Sequence, residues 1–152
     1  MATAYLGIGS NVGDREAHIQ KAVALLREHP NVQVLAVSSL IETEPVGGPP
    51  QGRYLNGAIK VGTDLMPNDL LSAMKGIERR CGRTKNEPNA PRTLDLDILL
   101  YDDVVIVEGK TLSIPHPRMA ERAFVLKPLA EIAPEAVHPR LQKTARELLE
   151  NL

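Results

Sequence analysis

The chain is poor in the residues that most often betray a function. In 152 residues it has one cysteine, no tryptophan, one phenylalanine and three tyrosines. A lone Cys81 excludes an intramolecular disulfide, and with His18, His29, His116 and His138 scattered there is no zinc-type ligand spacing. Any metal should therefore be a hard ion held by oxygen. So few aromatics argue against an RNA-recognition module, which stacks bases on the rings of its central strands. A formal net charge of −1 and a pI near 6.4 argue against a coat for nucleic acid or an anionic membrane. No apolar run approaches the roughly 20 residues of a membrane span, and Met1 is followed by Ala-Thr-Ala-Tyr-Leu-Gly without a basic lead. A cytoplasmic protein is expected, with residues 1–152 forming a single domain.

What is present concentrates in Pro91-Arg92-Thr93-Leu94-Asp95-Leu96-Asp97-Ile98-Leu99-Leu100-Tyr101. Side chains alternate along a strand, so Leu94, Leu96, Ile98 and Leu100 should face a core while Asp95 and Asp97 face the other way. Carboxylates at i and i+2 lie roughly 7 Å apart, close enough to hold one metal ion or bracket two. An Asp-x-Asp strand can also be a plain solvated face. Here, however, Arg79, Arg80, Arg83, Lys85 and Arg92 lie just upstream, in a stretch that also holds Gly82, Pro88, Asn89 and Pro91. Cations beside a metal site suggest an anionic ligand between them, and magnesium with a polyphosphate is the obvious pair.

The remaining chain reads as an ordered set of elements. Residues 4–8 suit a buried strand ending in Gly9-Ser10-Asn11; residues 14–29 suit a helix capped by Asp14 and stopped by Pro30. A Val- and Leu-rich strand is expected over 32–41. Three prolines and three glycines in 43–52 exclude regular structure there. Residues 54–62 alternate as a strand, with Tyr54, Asn56, Ala58 and Lys60 on one face, and a second helix should run over 67–80. After the Asp-x-Asp strand come a hairpin from 104–107 to 112–114, irregular Pro-rich chain, and a final helix over 141–149. Strand, helix, strand, strand, helix, strand is the split pattern of a ferredoxin-like βαββαβ sandwich. The expected fold is α+β, with helices on one face of an antiparallel sheet and an additional C-terminal hairpin and helix.

Two glycine motifs fail. Gly7-Ile8-Gly9-Ser10-Asn11-Val12-Gly13 has its third glycine one place late for a dinucleotide fingerprint, and Gly47 to Gly52 is followed by Arg53-Tyr54 instead of the P-loop Lys-Ser/Thr. A non-catalytic ferredoxin-like binding module would have no reason to concentrate Asp95, Asp97, Arg83 and Arg92.

Taken together, Gly9-Ser10-Asn11, Thr43-Glu44-Pro45, Tyr54-Leu55-Asn56, Pro91-Arg92-Thr93-Leu94-Asp95-Leu96-Asp97-Ile98 and Ile114-Pro115-His116-Pro117-Arg118 closely resemble the 6-hydroxymethyl-7,8-dihydropterin pyrophosphokinases of folate biosynthesis over nearly the whole chain. The resemblance implies transfer of diphosphate from ATP to the pterin hydroxymethyl group, releasing AMP. It implies catalytic roles for Arg83, Arg92, Asp95 and Asp97, with both aspartates holding metal. The pterin would lie among Thr43, Glu44, Val46, Tyr54, Asn56 and Phe124, its ring between the two aromatics. ATP would meet Lys75, Glu78, Lys85, Arg92, Ile98, Ser113, His116 and Arg122. Two magnesium ions, two carboxylates and ATP leave an excess of about two negative charges, which the basic loop must balance. The two carboxylates alone half-neutralise the two ions, so at least one ion should arrive with ATP, which binds first. Partners are these two substrates, neither nucleic acid nor membrane, and the chain is expected to act as a monomer. One departure stands out: Asn89-Ala90 occupies the place of a Trp-Gly pair common in the family.

Overall fold

The computed structural model describes residues 1–44, 51–82, 93–108 and 111–152. Strand β1 (Ala2–Ser10) buries Ala4, Leu6 and Ile8 at every second position and leads into helix α1 (Arg15–Glu28). Asp14 starts that helix by accepting the Ala17 N–H at 3.1 Å. Strands β2 (Val32–Val37), β3 (Ile41–Thr43) and β4 (Tyr54–Thr63) follow, then helix α2 (Pro67–Arg80). Pro67 costs α2 nothing at its first turn, where the missing N–H would be unpaired anyway, and Asp69, Arg79 and Arg80 oppose the helix dipole at its two ends. Strand β5 (Asp95–Tyr101) completes an antiparallel sheet in the order β2-β4-β1-β5, with β3 also on β4. This is the expected ferredoxin-like arrangement.

The expected strand over 32–41 is in fact two. β2 pairs with residues 59–63 of β4 and β3 with residues 54–56, so both share one edge end to end. Between them Ser38 exchanges hydrogen bonds with Ala58, its N–H donating to the carbonyl and its Oγ accepting the amide. Leu40 folds over Gly57, where an added Cβ would sit 2.7 Å from Leu40 Cδ2. A strand of apolar residues is thus bent by one serine and one glycine that its own pattern does not show.

A second correction concerns the Asp-x-Asp strand. Tyr5 pairs with Leu100 and Leu6 with Ile98, leaving Leu99 without a partner in the register, which is a β-bulge. Leu94, Leu96 and Ile98 face α1 and α2 as expected, but beyond the bulge Leu100 joins Leu99 on the opposite face.

That opposite face is also covered by helices, contrary to the expectation of helices on one side only. After the hairpin β6 (Ile106–Glu108) and β7 (Leu112–Ile114) and a 3-10 turn at Met119–Glu121, helix α3 (Ala123–Ile132) occupies chain expected to be irregular. Pro128 inside α3 removes one ladder hydrogen bond and hides the helix from a sequence reading, yet Leu126, Pro128 and Leu129 are buried. The final helix is shorter than expected. A hairpin of β8 (Val137–His138) and β9 (Lys143–Thr144) turns at Gln142 (φ 56°) before helix α4 (Ala145–Glu150), which Thr144 and Glu147 open with a reciprocal capping box.

Two apolar clusters result. One joins α1 and α2 to the sheet through Leu26, Leu70, Met74, Leu6, Ile59 and Leu96; the other joins α3 and α4 to it through Leu126, Leu129, Leu148, Leu99, Leu100 and Ala58. The second is smaller, and it carries the segment from His116 to Phe124 over the sheet. Leu126 is fully buried there. Leu126→Ala should lower the unfolding free energy by about 2–5 kcal/mol, read by urea titration.

Candidate active site

β1 is the central strand, flanked by β4 and β5, and its last turns on the α3 face are glycine. Gly7 pairs with Asp97 and Ala58, and Gly9 pairs with Asp95 and Asn56. Without side chains these positions leave a floor of bare backbone, with carboxylates on one wall and a carboxamide on the other. His116, Arg122 and Phe124 close the space from above. The enclosed cavity, about 50 Å³, is lined by Gly7, Gly9, Asn56, Asp95, Asp97, His116, Arg122 and Phe124, with Ile8, Gly57, Leu99 and Val125.

A larger cavity of about 460 Å³ lies beside it, between Thr43 and Glu44 on one side and Arg118, Glu121, Arg122, Ala123 and Phe124 on the other. That size is typical of small-molecule sites. Arg122 and Phe124 line both spaces, and the Arg122 guanidinium sits 5.4 Å from the Phe124 ring centroid. A cation over a ring face fixes both side chains.

The β5 bulge helps place the roof. The carbonyl of Leu99 accepts the His116 N–H at 3.0 Å, which ties this segment to the strand that carries both aspartates. His116 Nδ1 accepts the Arg118 N–H at 3.3 Å, so the neutral ring carries its proton on Nε2. Burial first, then the Arg122 and Arg118 charges, push the His116 pKa below its ordinary 6.5 against the pull of Asp95. The ring is thus a neutral donor at neutral pH. His138, at the start of another His-Pro-Arg triplet (138–140), uses its ring in the same way, Nδ1 accepting the Arg140 and Leu141 N–H groups.

Asn56 is buried and oriented. Its Nδ2 donates to Thr43 Oγ1 at 2.6 Å, which turns Oδ1 toward Gly9. The Tyr54 ring lies on the same side, its Cδ1 3.5 Å from where a Gly9 Cβ would stand.

Of the residues expected at the site, Asp95, Asp97, Asn56, His116, Arg122 and Phe124 meet in the smaller cavity, and Thr43 and Glu44 join Arg122 and Phe124 in the larger. Tyr54, Lys75, Glu78, Ile98 and Ser113 line neither. Lys75 is exposed on α2, Ile98 is in the core beneath the helices, and Ser113 is half-buried in β7. Glu78 is buried and its Oε2 accepts the Leu96 N–H at 2.8 Å, against the outer edge of the aspartate strand. Val46, Arg83, Lys85 and Arg92 lie outside the described residues. Sequence reasoning passed over Arg118 and Glu121 as lining residues; the only signal was Arg118's place in the His-Pro-Arg triplet.

Among the described residues no three His, Cys, Asp or Glu side chains gather as a metal cage. Two carboxylates on one wall still suit magnesium, which takes few protein ligands and fills its shell with phosphate and water oxygens. No helix among the described residues is long and apolar enough to cross a membrane.

The sequence profile of 7,8-dihydro-6-hydroxymethylpterin-pyrophosphokinase (HPPK) matches residues 5–134. The 2-amino-4-hydroxy-6-hydroxymethyldihydropteridine pyrophosphokinase of Bacillus subtilis is 51% identical over 129 residues, covering 85% of this chain and 77% of the relative. The Aquifex aeolicus enzyme of the same name is 42% identical over 147 residues, covering 97% and 90%. In fold, the chain resembles the Plasmodium falciparum HPPK-DHPS crystallised with pterin and p-hydroxybenzoate, with TM-score 0.79 at 18% identity over 99% of this chain and 43% of that one. With a family profile across most of its length and relatives of this similarity, the chain belongs to the 7,8-dihydro-6-hydroxymethylpterin pyrophosphokinase family.

Proposed function

We propose that the two adjoining cavities hold the two substrates of this family's reaction, polyphosphate against the Asp95 and Asp97 wall of the smaller, and pterin from its Asn56 wall into the larger. The reaction is transfer of diphosphate from ATP to 6-hydroxymethyl-7,8-dihydropterin in folate synthesis, giving AMP and the pterin diphosphate. The observation that carries the assignment is the shared wall. Arg122 and Phe124 line both spaces, so a group crossing from one to the other passes a guanidinium beside a ring.

The roles follow from chemistry. Asp95 and Asp97 would hold magnesium, which when bound supplies positive charge to the phosphates. Two ions are assigned, at least one of them entering with ATP, with the basic loop meeting the remaining negative charge. Arg122 and the His116 Nε2–H donate to phosphate oxygens, and a planar guanidinium suits spread negative charge. Arg83, Lys85 and Arg92 would complete the cationic side. Asn56 offers Oδ1 and its second N–H to the pterin edge, while Tyr54 and Phe124 offer ring faces. Thr43, Glu44 and Val46 would finish that pocket; Lys75, Glu78, Ile98 and Ser113 would serve the nucleoside. The hydroxymethyl oxygen then attacks the β-phosphorus and loses its proton to solvent, the bond from that phosphorus to the bridging α-phosphate oxygen breaks, and AMP departs with that oxygen. Positioning and charge do most of the work. The two apolar clusters share the same strands, which supports residues 1–152 acting as one domain.

The test is phosphorus NMR of the protein with magnesium, ATP and the pterin. AMP with a pterin diphosphate is expected; ADP would mean attack at the γ-phosphorus and would overturn the mechanism.

The histidines make a further prediction. Burial also lowers the His138 pKa, with Arg140 adding to it. A depressed folded pKa contributes stability above the unfolded value, near 6.5, and that stability fades as pH falls from there through the folded pKa. Urea titrations at pH 8 and pH 5.5 should show the native state weakening on the acid side. His138→Gln should flatten the slope.

A further inference from the structure

We propose that Arg15 is a positioning residue that holds the pterin side chains in register, although it touches neither cavity. The proposal rests on the placement of the pterin among Thr43, Tyr54 and Asn56 given above.

Arg15 is the first residue of α1, and its fork reaches β3 and the residue that leads into β4 at once. Nη2 pairs with Glu42 Oε1 at 2.6 Å and Nη1 donates to the Arg53 carbonyl at 3.0 Å. Glu42 immediately precedes Thr43, and Arg53 immediately precedes Tyr54. Thr43 and Tyr54 are directly paired in the β3–β4 ladder, at the rung where described β3 ends. β3 has only three residues, so its last rung has little strand to keep it in place. A guanidinium bound to both sides of that rung supplies what the short ladder lacks.

The same junction carries a second tie. Asn11, directly after β1, donates through Nδ2 to Gln51 Oε1 at 2.6 Å and to the Gly52 carbonyl at 3.1 Å. Arg53 Nε in turn pairs with Glu44 Oε1 at 2.7 Å. The chain on both flanks of residues 45–50 is thus fastened to the β1–α1 corner. Arg15 holds the Glu42 carboxyl below its ordinary 4.5, so this pair stays ionised at neutral pH.

Surface ion pairs contribute little to global stability, so the effect should appear in substrate geometry. Arg15→Ala is expected to raise KM for the pterin about tenfold, leaving KM for ATP and kcat at saturating pterin within about twofold. Arg15→Lys should restore only part of the loss, because a point-like ammonium cannot serve the carboxylate and the carbonyl together. Glu42→Gln combined with Arg15→Ala should cost less than the sum of the two. An unchanged pterin KM in Arg15→Ala, even with lowered stability, overturns the proposal, as does an equal rise in both KM values. Thr43→Ala and Asn56→Ala belong in the same assay. If they leave pterin KM unaltered, the pterin placement itself fails; if they raise it while Arg15→Ala does not, only the clamp fails.

Discussion

Asp97→Ala is expected to lower kcat by at least about a hundredfold, a loss of roughly 3 kcal/mol or more in the transition state. Asp97 sits on β5 opposite Gly7, where, among the described residues, one wall of the smaller cavity carries the two carboxylates of Asp95 and Asp97. Neither neighbour can take its place, because Leu96 and Ile98 point into the core beneath α1 and α2. The side chain is only half-buried and faces the cavity, so its removal should leave the fold intact. A stopped assay for AMP at saturating substrates measures the effect, and a magnesium titration should show weakened dependence on the ion. Near-normal turnover would take Asp97 out of the metal site. Arg92→Ala should do less harm, since other cations share the phosphate charge.

Gly9→Ala is the second large effect. An added Cβ would lie 2.6 Å from Asn56 Oδ1, nearer than real Cβ contacts come, and Asn56 cannot simply swing away because Thr43 Oγ1 holds its Nδ2 at 2.6 Å. The Tyr54 ring and the Leu55 carbonyl, each 3.5 Å from the same point, close the other directions. Pterin affinity should fall by about ten- to a hundredfold, and overpacking should cost about 1–3 kcal/mol of stability. The double variant Gly9→Ala/Asn56→Ala separates these: stability should recover as the clash disappears, while pterin binding stays weak for want of the carboxamide. Isothermal titration of the pterin into protein saturated with magnesium and a non-reacting ATP analogue, together with urea denaturation, reads both parts. Unchanged pterin affinity in Gly9→Ala would show that Asn56 Oδ1 does not meet the substrate.

Much of this was readable before any coordinates. The alternation in 94–98 put Asp95 and Asp97 opposite the core, and the Asp14 cap with Pro30 fixed α1 to within a residue at each end. α2 could be read because its apolar residues recur at helical spacing and Pro67 stands at its start. α3 could not, because Pro128 looks like a breaker, and only burial of Leu126 and Leu129 against the far face of the sheet outweighs the lost hydrogen bond. The bulge at Leu99 escaped for a different reason: local alternation continues through it, and only pairing with Tyr5 and Leu6 shows the extra residue.

By itself, then, the sequence determined the elements and order of the βαββαβ core and the family through its Arg-Thr-Leu-Asp-Leu-Asp run, because these depend on local spacing and on residue chemistry that is complete within a few positions. The tertiary structure alone decided that His116 docks on the bulged strand, that Arg122 and Phe124 stand between two cavities, and that Arg15 reaches across to Glu42 and the Arg53 carbonyl. Those contacts join residues far apart in the chain, and they exist only once burial of two apolar clusters on opposite faces of one sheet has fixed where each segment lies.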